Sequence, residues 1–109
     1  MPTSLTLDTA RRSKLDYLLI AAGEIDLSNI DPFKEALTAA VAEAQSSGGT
    51  LTVDLSAVEY LDSAAINVLY ARADDIDKLI AQPVLMSSFT ISGLAELIPV
   101  EPAPSAGEQ

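Results

Sequence analysis

The sequence predicts an α/β protein built on one small mixed sheet, mostly parallel, of four to five strands with helices. Three observations lead there. The chain has 109 residues, which is enough for one domain. Hydrophobic residues make up 49% and charged residues 20%, the balance of a chain that buries a core. Alternating and helix-spaced apolar segments follow one another as strand, strand, helix, strand, helix, strand, helix. That order gives a sheet with right-handed crossovers.

Residues 4–8 alternate, with Leu5 and Leu7 on one side of a short half-buried strand. Residues 10–16 are polar and hold Arg11, Arg12 and Lys14, so they are expected to form an exposed turn. Residues 17–25 are apolar enough for a strand inside a sheet, and the two strands suit an antiparallel hairpin. A helix follows, with Asp31 as N-cap and Pro32 at the first helical position. Phe33, Leu37, Ala40, Val41 and Ala44 form its apolar stripe, and Gly48 or Gly49 supplies the left-handed cap.

Residues 50–55 alternate strictly, with Leu51, Val53 and Leu55 on one side, and make the clearest strand in the chain. Residues 56–61 are expected to be a short connection. Asp62 or Ser63 then opens a second helix, with Ala65, Leu69, Ala73, Ile76 and Ile80 on its apolar face, ending before Pro83. Residues 84–89 are expected to form a further strand, and residues 92–98 at most two helical turns. From Pro99 the composition changes to a Pro-rich acidic tail, expected to fray.

Composition removes several function classes. Sixteen acidic residues against six basic ones give a net charge of −10. Nucleic acid and anionic membranes need clustered Lys and Arg, so neither is an expected partner. The chain has no cysteine and no histidine. Thiol chemistry and Cys-ligated zinc are excluded, and so are the commonest base and the commonest metal ligand. Ser63 has no evident base, so no enzyme activity such as nucleotide hydrolysis is expected. Gly48-Gly49 lacks the Gly-Lys-Ser/Thr of a phosphate loop, and no cofactor is expected. Asp74, Asp75 and Asp77 are taken as a solvated face, with an Asp74–Lys78 pair, rather than as a metal site. Tyr60 and Tyr70 are taken as core or rim packing. The longest aliphatic run, residues 17–22, is too short to span a bilayer. Residues 1–5 lack the charged and apolar blocks of a signal peptide, which predicts a cytoplasmic protein.

Two segments carry the functional information. Gly23-Glu24-Ile25-Asp26-Leu27-Ser28 leaves a strand before the first helix, and the segment from Val53 through Asp62-Ser63 runs from a strand to the second helix. Both fall at strand ends, where α/β sheets place their sites. Ser63 stands at a helix N-terminus, whose unpaired N–H groups and dipole tolerate a phosphate. Taken alone, Asp62-Ser63 is also a good helix cap. From Glu24 to Asp62, eight acidic residues face the single Lys34, a balance that steers a basic partner surface.

These segments, Gly-Glu-Ile-Asp-Leu-Ser at 23–28 and Val-Asp-Leu-Ser-Ala-Val-Glu-Tyr-Leu-Asp-Ser-Ala-Ala at 53–65, resemble the STAS domain of bacterial anti-sigma factor antagonists. The resemblance covers about residues 4–98. It implies one STAS-like domain over residues 1–98, with a shortened C-terminal helical part, followed by the flexible tail 99–109. It also implies that Ser63 is the phosphoacceptor of an anti-sigma factor of the serine kinase type. The unphosphorylated antagonist would bind that anti-sigma factor and free a sigma factor; phosphorylation would break the pairing and a phosphatase restore it. The implied partner-binding residues are Glu24, Asp26, Ser28, Asp54, Ser56, Asp62, Ser63, Ala64 and Asn67. The sequence departs from the family pattern where Ala64-Ala65 replaces Ser-Gly or Ala-Gly, at Asn67, where a small residue is usual, and in a segment 87–93 about two helical turns short. The alternative is a STAS docking subunit of a stress-signalling or transport complex, in which Ser63 only caps a helix.

Overall fold

The computed structural model describes residues 5–103. Five strands form one sheet in the order β1-β2-β3-β4-β5: Leu5–Ser13, Asp16–Ile25, Thr50–Leu61, Lys78–Ala81 and Val100–Pro102. β1 and β2 are antiparallel, and every later neighbour pair is parallel. The helices α1 (Ile30–Ser47), α2 (Ser63–Ala71), α3 (Pro83–Ile91) and α4 (Leu94–Leu97) lie in the crossovers between the parallel strands. The mixed, mostly parallel sheet expected from the sequence is therefore present.

The core lies on one face of that sheet. Tyr17, Leu19 and Ala21 of β2, Leu51, Val53 and Leu55 of β3, and Leu79 and Ala81 of β4 meet the buried residues of the helices in one cluster. The helix side contributes Phe33, Leu37 and Val41 from α1, Leu69 from α2, Phe89 from α3 and Leu94 from α4. Fully burying each such side chain is worth about 1.5–3 kcal/mol. The opposite face holds Leu18, Ile20, Thr52, Asp54, Lys78, Ile80 and Glu101 by register.

The hairpin is longer than expected. β1 continues to Ser13 through the basic segment, and only Lys14 and Leu15 turn the chain. Arg11 lies 5.3 Å from the centre of the Tyr17 ring, and Arg12 pairs with Asp16 at 2.9 Å. Those contacts give charged residues a place on an edge strand. At the start of α1, Asp31 is in the first turn and not the cap. A 3-10 turn, Leu27–Asn29, comes first, and the helix begins at Ile30 with Asn29 as N-cap. Its stripe is buried as the spacing requires, and Gly48 closes it in the left-handed region at φ 69°.

β3 does not stop at Leu55. It runs to Leu61 because two extra residues are absorbed as bulges. Ile20 pairs with Asp54 but Ala22 with Ala57, and Gly23 pairs with Val58 but Glu24 with Tyr60. The buried positions consequently run Leu51, Val53, Leu55, Val58, Leu61, and the last two steps of three hide the strand from a period-two reading.

The largest correction concerns residues 72–91. α2 ends at Ala71, and a 3-10 turn, Ala73–Asp75, leads into β4. Ile76 and Ile80, assigned to a helix, are thus outside it, and Lys78 pairs with Glu101 at 3.4 Å rather than with Asp74. Residues 84–89, assigned to a strand, belong to α3. Pro83 stands at its first position, where a missing N–H costs nothing, and Leu85 and Phe89 one turn apart enter the core. Leu94 and Ile98 of the short C-terminal part are fully buried, whereas Leu97 is half exposed. Val100–Pro102, placed by composition in the tail, extends the sheet beside β4. The rest of the tail, residues 104–109, lies outside the described residues.

Candidate functional site

The two informative segments meet at the C-terminal ends of β2 and β3. Glu24 is in register with Tyr60 and Ile25 with Leu61, so the chain leaves both strands at one place. Asp62 holds that place together. One carboxylate oxygen accepts from the Ala65 amide at 3.2 Å and caps α2. The other accepts from the Leu27 amide at 3.0 Å, while the Asp62 amide donates to the Ile25 carbonyl at 3.1 Å. Asp62 therefore ties the loop after β2 to the tip of α2.

The loop has its own closure. Asp26 accepts from the Ser28 amide at 2.9 Å and from its hydroxyl. Asn29 accepts from the Asp26 amide and donates to the Glu24 carbonyl, each at 2.9 Å. This reciprocal capping fixes the exposed Glu24, Leu27 and Ser28 beside α2.

Because Asp62 is the cap, Ser63 becomes the first residue of the helix proper. It is exposed, and its hydroxyl makes no hydrogen bond to any described residue. The α2 face continues through the exposed Asn67 and Tyr70, four and seven residues on. Ala64 is half-buried at its side. Ala65 is fully buried, so its methyl belongs to the core and not to the exposed face of α2.

The structure brings Glu24, Asp26, Ser28, Asp62, Ser63, Ala64 and Asn67 to one end of the molecule. It separates two others from them. Asp54 and Ser56 lie within β3, half-buried, and the Asp54 carboxylate accepts from the Ser56 amide at 2.9 Å. Seven residues of strand, roughly 20–25 Å, stand between Asp54 and Asp62. Asp54 is thus no neighbour of a group on Ser63.

Two exposed apolar residues beside the candidate site were not assigned to it from the sequence, where Tyr60 is read as core or rim packing. Leu27 is 73% exposed and Tyr60 51% exposed, one on each segment. They put apolar surface on both sides of an acidic rim. The signal for Leu27 was a leucine directly after the Gly-Glu-Ile-Asp turn that no helical stripe or strand alternation accounts for. Tyr60 sits between the exposed Glu59 and the buried Leu61, and the bulges concealed its direction.

Elsewhere, acidic side chains have structural work. Asp75 accepts from Gln45 at 2.9 Å and pairs with Arg72, and Asp77 accepts from the Leu51 amide at 2.7 Å. Among the described residues no three acidic side chains converge as metal ligands, and no helix is long and apolar enough to cross a membrane.

A family model described as "Mlab, STAS domain" matches residues 9–99. Three solved structures are similar. An anti-sigma factor antagonist from Mycobacterium paratuberculosis superposes with a TM-score of 0.80 at 25% identity, over 92% of this chain and 87% of that one. The anti-sigma factor antagonist SpoIIAA in its unphosphorylated form gives 0.68 at 14% identity, over 92% and 90%. The Bacillus cell fate determinant SpoIIAA in the phosphorylated form gives 0.65 at 15% identity, over 92% and 93%. No curated protein matches the chain by sequence.

Proposed function

The chain belongs to the STAS-domain family, and from that premise we propose that it is an anti-sigma factor antagonist switched at Ser63. In the unphosphorylated state its site end binds an anti-sigma factor of the serine kinase type, and a sigma factor goes free. The kinase then phosphorylates Ser63, the pairing loosens, and a phosphatase resets it. The protein itself performs no catalysis and acts in the cytoplasm.

The single observation that carries this reading is the division of labour at the tip of α2. Asp62 takes the cap, and so Ser63 displays an uncommitted hydroxyl to solvent. Leu27 and Tyr60 supply apolar anchors beside it, and Glu24 and Asp26 supply acidic surroundings. A phosphate on Ser63 adds about −1.5 to −2 charges and three acceptor oxygens. The helix N-terminus accommodates it within the fold. A bound partner experiences it differently, because each like-charge contact on a wet surface costs on the order of 1 kcal/mol and more where water is excluded. Loosening a complex 100-fold takes about 2.7 kcal/mol, within the reach of one phosphate.

One feature favours a second reading, the constitutive docking subunit of a stress-signalling or transport complex. Ala64-Ala65 stiffens the first turn of α2 by roughly 1 kcal/mol relative to glycine, and a kinase has to grip that turn. One experiment separates the two. The wild type, Ser63→Ala and Ser63→Glu proteins are used as baits in the native host, and captured kinases are incubated with the wild type and ATP. The switch predicts a phosphate mapped to Ser63 by mass spectrometry, partner capture by wild type and Ser63→Ala, and capture by Ser63→Glu weakened about tenfold or more. Equal capture by all three, with no label on Ser63, selects the docking subunit.

A further inference from the structure

We propose that two copies of this chain pair through the free edge of β1, antiparallel about a two-fold axis, and extend the sheet to ten strands. β1 is the long edge of the sheet: nine residues, Leu5–Ser13, with a neighbour on one side only among the described residues. The other edge, β5, is three residues long and ends in Pro102.

The direction of the open edge follows from one hydrogen bond. The Thr9 amide donates to the Asp8 carboxylate at 3.0 Å and thus points away from β2. The odd-numbered residues of β1 from Leu5 to Arg11, where the pairing with β2 is regular, therefore offer their backbone groups outward. Two copies related by a two-fold axis must oppose residues of like parity, which leaves few registers.

Charge chooses among them. When Ala10 opposes its own copy, Asp8 of each strand opposes Arg12 of the other, and two symmetric ion pairs form. Shifting by two residues one way sets Arg11 against Arg11. The same shift the other way leaves Asp8 opposite Ala10, and a further one sets Asp8 against Asp8. Only the first register pairs opposite charges twice within the strand.

Its details fit the local geometry. Arg12 reaches Asp16 and the Thr52 hydroxyl, so it lies on the open face of the sheet, and Asp8, in register with Ile20, shares that face. The pairs on even residues have no hydrogen bonds between their own backbones, which brings their side chains close together. Thr9 exchanges its bond to Asp8 for the carbonyl of the opposing Arg11, which releases the Asp8 carboxylate for the other strand's Arg12. On the helix side, a groove of about 400 Å³ lined by Thr9, Ala10, Arg11, Tyr17 and Glu43 borders the same edge. The opposing Arg11 stands beside Thr9 in this register, and Glu43 is its counter-charge. Because the strands run antiparallel, the two Ser63 ends point in opposite directions and both stay open.

Sedimentation equilibrium of the full chain tests the proposal. At low salt the wild-type mass should move from 11.4 kDa toward twice that value as concentration rises, and return as salt is added. Asp8→Arg and Arg12→Asp should each be monomeric alone, yet form a heterodimer when mixed, because the mixture restores both opposite-charge pairs. Thr9→Pro should be monomeric too, with an unchanged circular dichroism spectrum, because the amide it removes faces outward. A wild type that stays at 11.4 kDa overturns the pairing. So does either charge variant dimerising alone as the wild type does, or a mixture that stays monomeric.

Discussion

Asp62 and Ser63 are chain neighbours with opposite duties. Both oxygens of Asp62 are occupied within the fold, and the Ser63 hydroxyl by no described residue. Their substitutions should differ accordingly. Asp62→Ala removes the α2 cap and leaves the Leu27 amide without its acceptor, so it should cost about 1–2 kcal/mol in urea denaturation. Ser63→Ala should fall within about 0.5 kcal/mol of wild type, as exposed substitutions without partners do. Most of the candidate site's location was legible at this scale. An Asp-Ser pair before a helical stripe marks a helix start, and the two acidic segments lie at strand ends. Sequence could not decide which of the two residues caps, because Asp and Ser serve about equally well there. It also drew in Asp54 and Ser56, since a segment read as a short loop would have folded back beside Ser63, whereas twelve residues of continuous strand carry it away.

At the scale of elements, turns and long stripes were easy to read and short apolar runs were not. The α1 helix of 18 residues carries a stripe from Phe33 to Ala44 and ends in Gly48-Gly49, which admits few alternatives. The runs on either side of Pro83 are four and nine residues long, and over such lengths a buried strand and a buried helix share a composition. Pro at the helix start and the Leu85–Phe89 spacing were the available signals. Phe89→Ala should therefore behave as a core truncation, lowering stability by about 3–5 kcal/mol in thermal or denaturant unfolding. The two glycines after α1 should separate just as clearly. Gly48 is in the left-handed region with open space around it, so Gly48→Ala should cost about 1 kcal/mol. At Gly49 a Cβ would come within 2.5 Å of the Leu15 carbonyl oxygen, itself the acceptor for the Thr50 amide. Gly49→Ala must push the β2 entry away from β3 and should be the more damaging of the two, at about 1–3 kcal/mol.

Across the whole molecule the basic hairpin tip, where Asp16, Glu43 and Asp77 also lie, and the acidic candidate site stand at opposite ends of the strands. Arg11, Arg12 and Lys14 gather at the hairpin tip, and Glu24, Asp26 and Asp62 surround Ser63 at the other end of the strands. A basic partner approaching the acidic end is drawn in over several ångströms, so association with it should slow by roughly tenfold or more between low and high salt in stopped-flow mixing. Dissociation should change far less. The brace made by Asp62 has a last consequence for how such a protein would signal. A carboxylate clamped at both oxygens cannot swing aside for an added anion, and the backbone it fastens cannot either. The two covalent states should then share one shape, and the message would travel as an electric field at a fixed address rather than as a rearrangement.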